Sequence, residues 1–185
     1  SSGNLTIKAD IFNDTAAGAS VTVRNTVYQA DETAASSPVS TNITVPAGQT
    51  VSAESSLTVN NPDLWSIDTP ENTYFVRTEV LIDNTVVDTY DTDFGFRWYE
   101  FDDTNGFSLN GKNIKLNGVC MHHDQGALGS AAYYDAMYRQ LSIMKEMGTN
   151  AIRITHNPGD KQFLEICNQL GLLVIEEFFD GWDRS

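Results

Sequence analysis

The first half of the chain alternates between apolar and polar positions. In "NLTIKADIFN", Leu5, Ile7, Ala9 and Ile11 fall on one side of an extended backbone and polar residues on the other. "ASVTVRNTVYQ" sets Val21, Val23 and Val27 among Thr and Arg. "STNITVPAGQTVSAESSLTVNNP" predicts two strands around a Pro46-Ala47-Gly48 turn, and "NTYFVRTEVLIDNTVVDTYDTDFGFRWY" two more that turn at Asp83-Asn84. No segment here sustains a 3.6-residue period. Short strands rich in Thr, Val, Asn and Asp, broken by regular turns, predict a β-sandwich over residues 1–97.

The pattern then changes. Asn110-Gly111 between short apolar stretches is a strong hairpin signal. "KNIKLNGVC" reads as a strand. "YYDAMYRQLSIMKEMG" brings Tyr134, Met137, Leu141, Met144 and Gly148 near one helical face, with Gly148 as C-terminal cap. "TNAIRIT" reads as a strand. "DKQFLEICNQLG" reads as a helix capped by Asp160 and stopped at Gly171, and "LLVIEE" as a third strand. Strand, helix, strand, helix, strand predicts a parallel sheet with right-handed crossovers over residues 98–185. Three such strands with both helices on one side leave the other face bare. The expectation is therefore a truncated barrel or open sheet, or a small α/β domain whose bare face packs on the sandwich. A bare face also predicts poor solubility or a homo-oligomer.

Charge narrows the partners. The formal net charge is −14, and residues 1–95 hold 13 acidic against three basic side chains. Binding to nucleic acid requires Lys and Arg to displace counterions from phosphates, so no nucleic-acid partner is expected. Anionic membranes are disfavoured on the same ground, and no run reaches membrane-spanning length. A neutral carbohydrate is compatible with this balance. Cys120 and Cys167 form no CxxC pair and read as buried free thiols. "NLT", "NDT" and "NIT" at Asn4, Asn13 and Asn42 fit the glycosylation pattern, and with the Lys-poor sandwich they suggest a secreted or surface bacterial protein, a cytoplasmic one being the alternative.

The candidate chemistry gathers where parallel strands end. In α/β units that rim is the usual place for a site. The first strand ends in His122, His123 and Asp124. The second ends in Arg153, His156 and Asn157, and the third in Glu176, Glu177, Asp180 and Trp182. All three histidines of the chain lie on this rim. Adjacent residues on a strand diverge, so only one of His122 and His123 faces the site, and only one of Glu176 and Glu177 points inward. The other glutamate faces the helix layer or a salt bridge, for which Arg153 is the candidate partner. Plainer roles stand beside these: a solvated loop for the histidine pair, a helix brace for His156, a core or platform for Phe178, Phe179 and Trp182.

Several chemistries lack support. A zinc hydrolase could draw on His122, His156 and Glu177 or Asp180, but no HExxH signature accompanies them. No GxSxG elbow occurs, and "GALGSA" lacks a phosphate-loop ending. A retaining glycosidase needs two carboxyl groups about 5–5.5 Å apart, which neighbouring Glu176 and Glu177 cannot supply.

"GFRWYEFDDTNGFSLNGKNIKLNGVCMHHD", "LSIMKEMGTNAIRITHNP" and "FLEICNQLGLLVIEEFFDGW" closely resemble glycoside hydrolase family 2 enzymes, most of all bacterial β-galactosidases. The resemblance implies an immunoglobulin-like β-sandwich at 1–97 followed by the first three β/α units of a truncated TIM barrel at 98–185. It implies a retaining hydrolase of terminal β-galactosides. A β-glucuronidase or β-mannosidase is the alternative within the family, and a non-catalytic carbohydrate-binding or adhesion module the alternative outside it. The family's acid/base glutamate follows an Asn on barrel strand four and its nucleophile ends strand seven. Neither motif occurs here, so no catalytic residue is expected in this chain, and no turnover from it alone. The resemblance gives substrate-side roles to His122, His156, Asn157, Glu177 and Asp180. Some galactosidases hold magnesium in the loop of Asp180. "EEFFDGW" lacks their Glu and His ligands, so magnesium is expected, if anywhere, only in the full enzyme.

Overall fold

The computed structural model describes residues 2–179 and 181. The chain divides into two compact units. One comprises residues 1–64 and 72–96, the other residues 65–71 and 97–185.

The first unit is the expected sandwich. One sheet pairs β1 (Ser2–Phe12) with β4 (Thr50–Asn60), antiparallel, with Leu5 opposite Leu57. The other has the order β3-β2-β5-β6, where β2 is Ala19–Gln29, β3 Val39–Val45, β5 Tyr74–Ile82 and β6 Thr85–Phe94. The predicted apolar alternation lies inward: Val21, Val23 and Val27 of β2 are buried with Leu57, Val59 and Val76. Each such side chain contributes roughly 1.5–3 kcal/mol by leaving water. A polar bridge crosses this core. Asn25 Nδ2 donates to Ser55 Oγ at 3.0 Å, and Thr78 Oγ1 donates to Asn25 Oδ1 at 2.7 Å. These bonds satisfy a buried amide and tie β2 and β5 to β4, fixing how the two sheets align.

Turn chemistry decides the connections. Asp83 and Asn84 have φ of 49° and 62°, the twisted two-residue turn that joins β5 to β6 as a hairpin. The Pro46–Gly48 turn works differently. It carries the chain from β3 in one sheet to β4 in the other, so the two predicted strands flank a crossing rather than pair with each other. Asn13 holds the loop before β2. It is buried, and its side-chain Nδ2 donates to Ala17 O and Val45 O at 2.8 and 2.9 Å, so it braces a loop.

The second unit opens with a small antiparallel sheet of β7 (Tyr99–Asp102), β8 (Gly106–Leu109) and β9 (Lys112–Asn113). Asn110 and Gly111 turn β8 into β9 with φ of 52° and 78°. "KNIKLNGVC" is thus two strands in two sheets, because the chain leaves the hairpin before β10 (Gly118–Met121) begins. β10, β11 (Ala151–Ile154) and β12 (Leu173–Glu176) pair in parallel in sequence order, with helices α1 (Tyr134–Glu146) and α2 (Lys161–Leu170) as crossovers. The third strand has no following helix among the described residues.

The helices end as their sequences dictate. Asp160 accepts from the Gln162 amide at 2.8 Å at the start of α2. Gly171 takes a left-handed φ of 67° at its end. A Cβ on Gly171 would also lie 2.6 Å from the carbonyl oxygen of Ile67. That contact comes from residues 65–71, which sit in sequence between two sandwich strands yet belong to the second unit. Trp65 is buried there, its Nε1 donating to Asn168 O at 3.0 Å, with the Arg97 guanidinium 4.7 Å from its ring centre. Lys145 Nζ donates to Ile67 O and Gly171 O at 2.9 and 3.0 Å. Partial burial holds its ammonium below the usual lysine range.

Candidate functional site

The parallel sheet has two unlike faces. Val119, Met121, Ile152, Ile154 and Val174 pack against Met137, Leu141, Phe163 and Ile166 of the helices. The alternate residues Cys120, Arg153 and Ile175 stand opposite one another in register, and all three are exposed. Cys120 is therefore a surface thiol. Only Cys167 is the buried one, its thiol pushed up to about 12 by desolvation.

The alternation carries through the strand ends. Glu176 turns to the helix side, where its Oε1 accepts from Gly159 N at 2.9 Å. Glu177 turns to the open face. Its Oε1 accepts from Arg153 Nε at 2.7 Å and from Nη2 as well, and its Oε2 accepts from His156 Nδ1 at 2.7 Å. The glutamate that pairs with Arg153 is thus the inward one. The paired Arg153 guanidinium, and after it His156, hold the Glu177 carboxyl below the usual carboxylate range. Arg153 is raised in turn by the same pair.

Thr155 places the other histidine. Its N–H donates to Met121 O at 3.0 Å, which extends the β10–β11 ladder by one rung. Its Oγ1 also donates to Met121 O, at 3.3 Å. His122 Nδ1 lies 3.2 Å from Thr155 O and 3.1 Å from Thr155 Oγ1. A carbonyl only accepts, so the Nδ1–H tautomer bonds to Thr155 O, while the Thr155 hydroxyl can donate to Nδ1 of the other tautomer. The rings of His122 and His156 meet edge to face with centres 5.9 Å apart, and the Thr155–His156 peptide is cis.

Three of the five predicted residues, His122, His156 and Glu177, are therefore brought into one group. Asn157 is exposed just beyond it. Asp180 and Trp182 lie outside the described residues. Phe178 and Phe179 are exposed rather than core. His123 is exposed and takes no part in this hydrogen-bonded group, and Asp124 Oδ1 accepts from Gly126 N at 2.9 Å, so Asp124 shapes a turn. Between the β10 loop and the helices lies a cavity of about 30 Å³ bordered by His122, His123, Met137 and Phe163. That holds a water, not a pyranose, so a sugar would lie on the open rim. Among the described residues, no three His, Cys, Asp or Glu side chains converge to hold a metal ion. In the loop where magnesium would be sought, Glu177 is the one described carboxylate, and both its oxygens hold protein partners. The described residues do not fit that ion. Thr155 and the Arg153–Glu177 pairing on the open face were missing from the predicted site. The two-residue step from Ile175 to Glu177 was the signal that could have shown the pairing.

Comparison with known proteins converges on one family. The first unit's residues 1–97 match the family description "Glycosyl hydrolases family 2", and residues 100–179 match "Glycosyl hydrolases family 2, TIM barrel domain". A β-galactosidase from Bacteroides ovatus is 45% identical over 75% of this chain and 16% of its own length. A β-glucuronidase from Bacteroides fragilis is 30% identical over 75% of this chain and 20% of its own. The crystal structure of a Bacteroides uniformis β-glucuronidase superposes with a TM-score of 0.87 at 37% identity, over 95% of this chain and 21% of that one. The chain thus spans about a fifth or less of the curated relatives it matches. No helix among the described residues is long and apolar enough to cross a membrane. The chain belongs to glycosyl hydrolases family 2, and it carries that family's immunoglobulin-like β-sandwich followed by part of its TIM barrel.

Proposed function

We propose that this chain is the substrate-facing part of a retaining β-glycosidase and supplies the binding rim rather than the reacting carboxylates. The observation that carries the reading is the grouping of His122 and His156 at parallel-strand ends, each with Nδ1 held by a protein hydrogen-bonding group. Rings held in this way present a fixed imidazole edge to a sugar hydroxyl. Hydrogen bonds to such hydroxyls strengthen as the ring flattens toward an oxocarbenium ion, so they favour the transition state over the bound substrate. The nucleophile and acid/base would come from elsewhere in the full polypeptide.

β-Glucuronides are placed first as the substrate class. The Bacteroides fragilis relative and the Bacteroides uniformis structure, both named β-glucuronidases, support this. β-Galactosides are the second reading, favoured by the 45% identity to the Bacteroides ovatus enzyme. The test is hydrolysis of nitrophenyl β-glucuronide, β-galactoside and β-mannoside by this chain and by a longer polypeptide that contains it. Glucuronide cleavage by the longer polypeptide alone is expected. Preference for galactoside would exchange the two readings. Failure of the longer polypeptide to cleave any β-glycoside, with specific glycan binding retained, would replace both with a binding module.

A further inference from the structure

We propose that Glu177 is a positioning residue: it fixes the ring plane and tautomer of His156 and does not itself grip the sugar. This rests on the glycosidase reading only for its consequence in catalysis, since the geometry belongs to this chain whatever the substrate.

The argument begins with register. Arg153 stands opposite Ile175 across the β11–β12 ladder, and Glu177 lies two residues beyond Ile175 on the same face. The carboxylate therefore meets the guanidinium side by side, and Arg153 approaches one oxygen, Oε1, with two donors. That leaves Oε2 turned toward the end of β11, where His156 Nδ1 meets it at 2.7 Å. Arg153 is always charged, so its partner remains a carboxylate and can only accept. The proton in that bond must then be on Nδ1 of His156. An imidazole without such a partner is free to place its proton on either nitrogen, and the hydrogen bond at one selects the state of the other. The ring so held stands edge to face against His122, which Thr155 orients in its turn. Arg153 anchors Glu177, Glu177 anchors His156, and the two histidine rings stand edge to face beside them.

Glu177→Leu removes the acceptor while keeping bulk, and Glu177→Gln keeps an acceptor oxygen while removing the charge. Long-range ¹H–¹⁵N spectra of the imidazoles in this 185-residue chain report the tautomer directly. Wild type and Glu177→Gln are expected to show His156 protonated at Nδ1, and Glu177→Leu a shift toward protonation at Nε2. An unchanged tautomer in a folded Glu177→Leu would overturn the proposal. Should Glu177→Leu fail to fold, Glu177→Met carries the same test, because an unchanged Nδ1–H ring in that variant also overturns it. In the longer polypeptide, Glu177→Leu should lower kcat/KM on the order of 10–100-fold, the loss seen when the group orienting a histidine is removed. Glu177→Gln should recover most of it. A rise in KM that Glu177→Gln fails to rescue would instead mean that the carboxylate binds the sugar. A longer polypeptide without any hydrolysis, but with the tautomer shift intact, would end the glycosidase reading and leave the positioning role standing.

Discussion

The two faces of one three-stranded sheet do opposite things. Toward the helices, Ile152 and Ile154 of β11 are buried in an apolar cluster with Leu141, Phe163 and Ile166. On the other side, one residue along the same strand, Arg153 is exposed and ion-paired. The closed face supplies cohesion and the open face carries the ion-paired polar groups. A β-strand separates these jobs by alternation alone, so a one-residue shift of register would exchange them. The polar groups on the open face are ordered by each other and by the strand-end backbone, with little help from apolar packing.

Breaking the closed face should cost most. Ile152→Ala leaves a hole among fully buried neighbours, and about 2–5 kcal/mol of stability should be lost in urea unfolding of this chain. Ile175→Ala, one register position along on the open face at 57% exposure, should change stability by no more than ~0.5 kcal/mol. Equal losses at the two positions would erase the contrast.

Gly171→Ala comes next. A side chain there meets both the left-handed backbone and the Ile67 carbonyl, for a loss of roughly 1–3 kcal/mol. Gly148 has φ of 88° but open space around a Cβ, so Gly148→Ala should cost less, and the difference measures the close approach of residues 65–71. Asp160→Ala should remove about 0.5–2 kcal/mol with the N-cap of α2, read by the same unfolding curves.

The smallest effect is electrostatic. The Glu177 carboxyl titrates lower in the folded chain than in the unfolded one. Its contribution is therefore fully present above the unfolded carboxylate range and is lost as pH falls through the folded value. Stability followed from neutral pH downward should show a shallower acid limb in Glu177→Gln than in wild type. The group is solvent-accessible, so the difference is small and shrinks with added salt.

Local pattern made the two kinds of architecture legible. Alternation at Leu5, Ile7, Ala9 and Ile11 and the 3.6-residue spacing of Met137, Leu141 and Met144 depend on neighbours in sequence, and so do the caps at Asp160 and Gly171. Long-range pairing was not legible in the same way. Nothing local distinguishes a Pro46–Gly48 turn within one sheet from one that crosses between sheets. Nothing local assigns Trp65 to the second unit, where Asn168 receives its N–H. Cys120 reads as buried because β10 is apolar, yet its position in the alternation puts it on the open face. The rim histidines were found because strand ends converge by topology. The partner of His156 required knowing which glutamate shares a face with Arg153, which register alone decides.

The most direct test of the account compares three histidines in the longer polypeptide that contains this chain. His122→Ala and His156→Ala should each lower kcat/KM on the β-glycoside it cleaves, on the order of 10²-fold, as removal of one transition-state hydrogen-bonding group does. His123→Ala, one residue from His122 but outside the hydrogen-bonded group of His122, His156 and Glu177, should stay near wild type. Losses confined to His122 and His156 would support the open-face site. Wild-type rates in both variants, or an equal loss in His123→Ala, would contradict it.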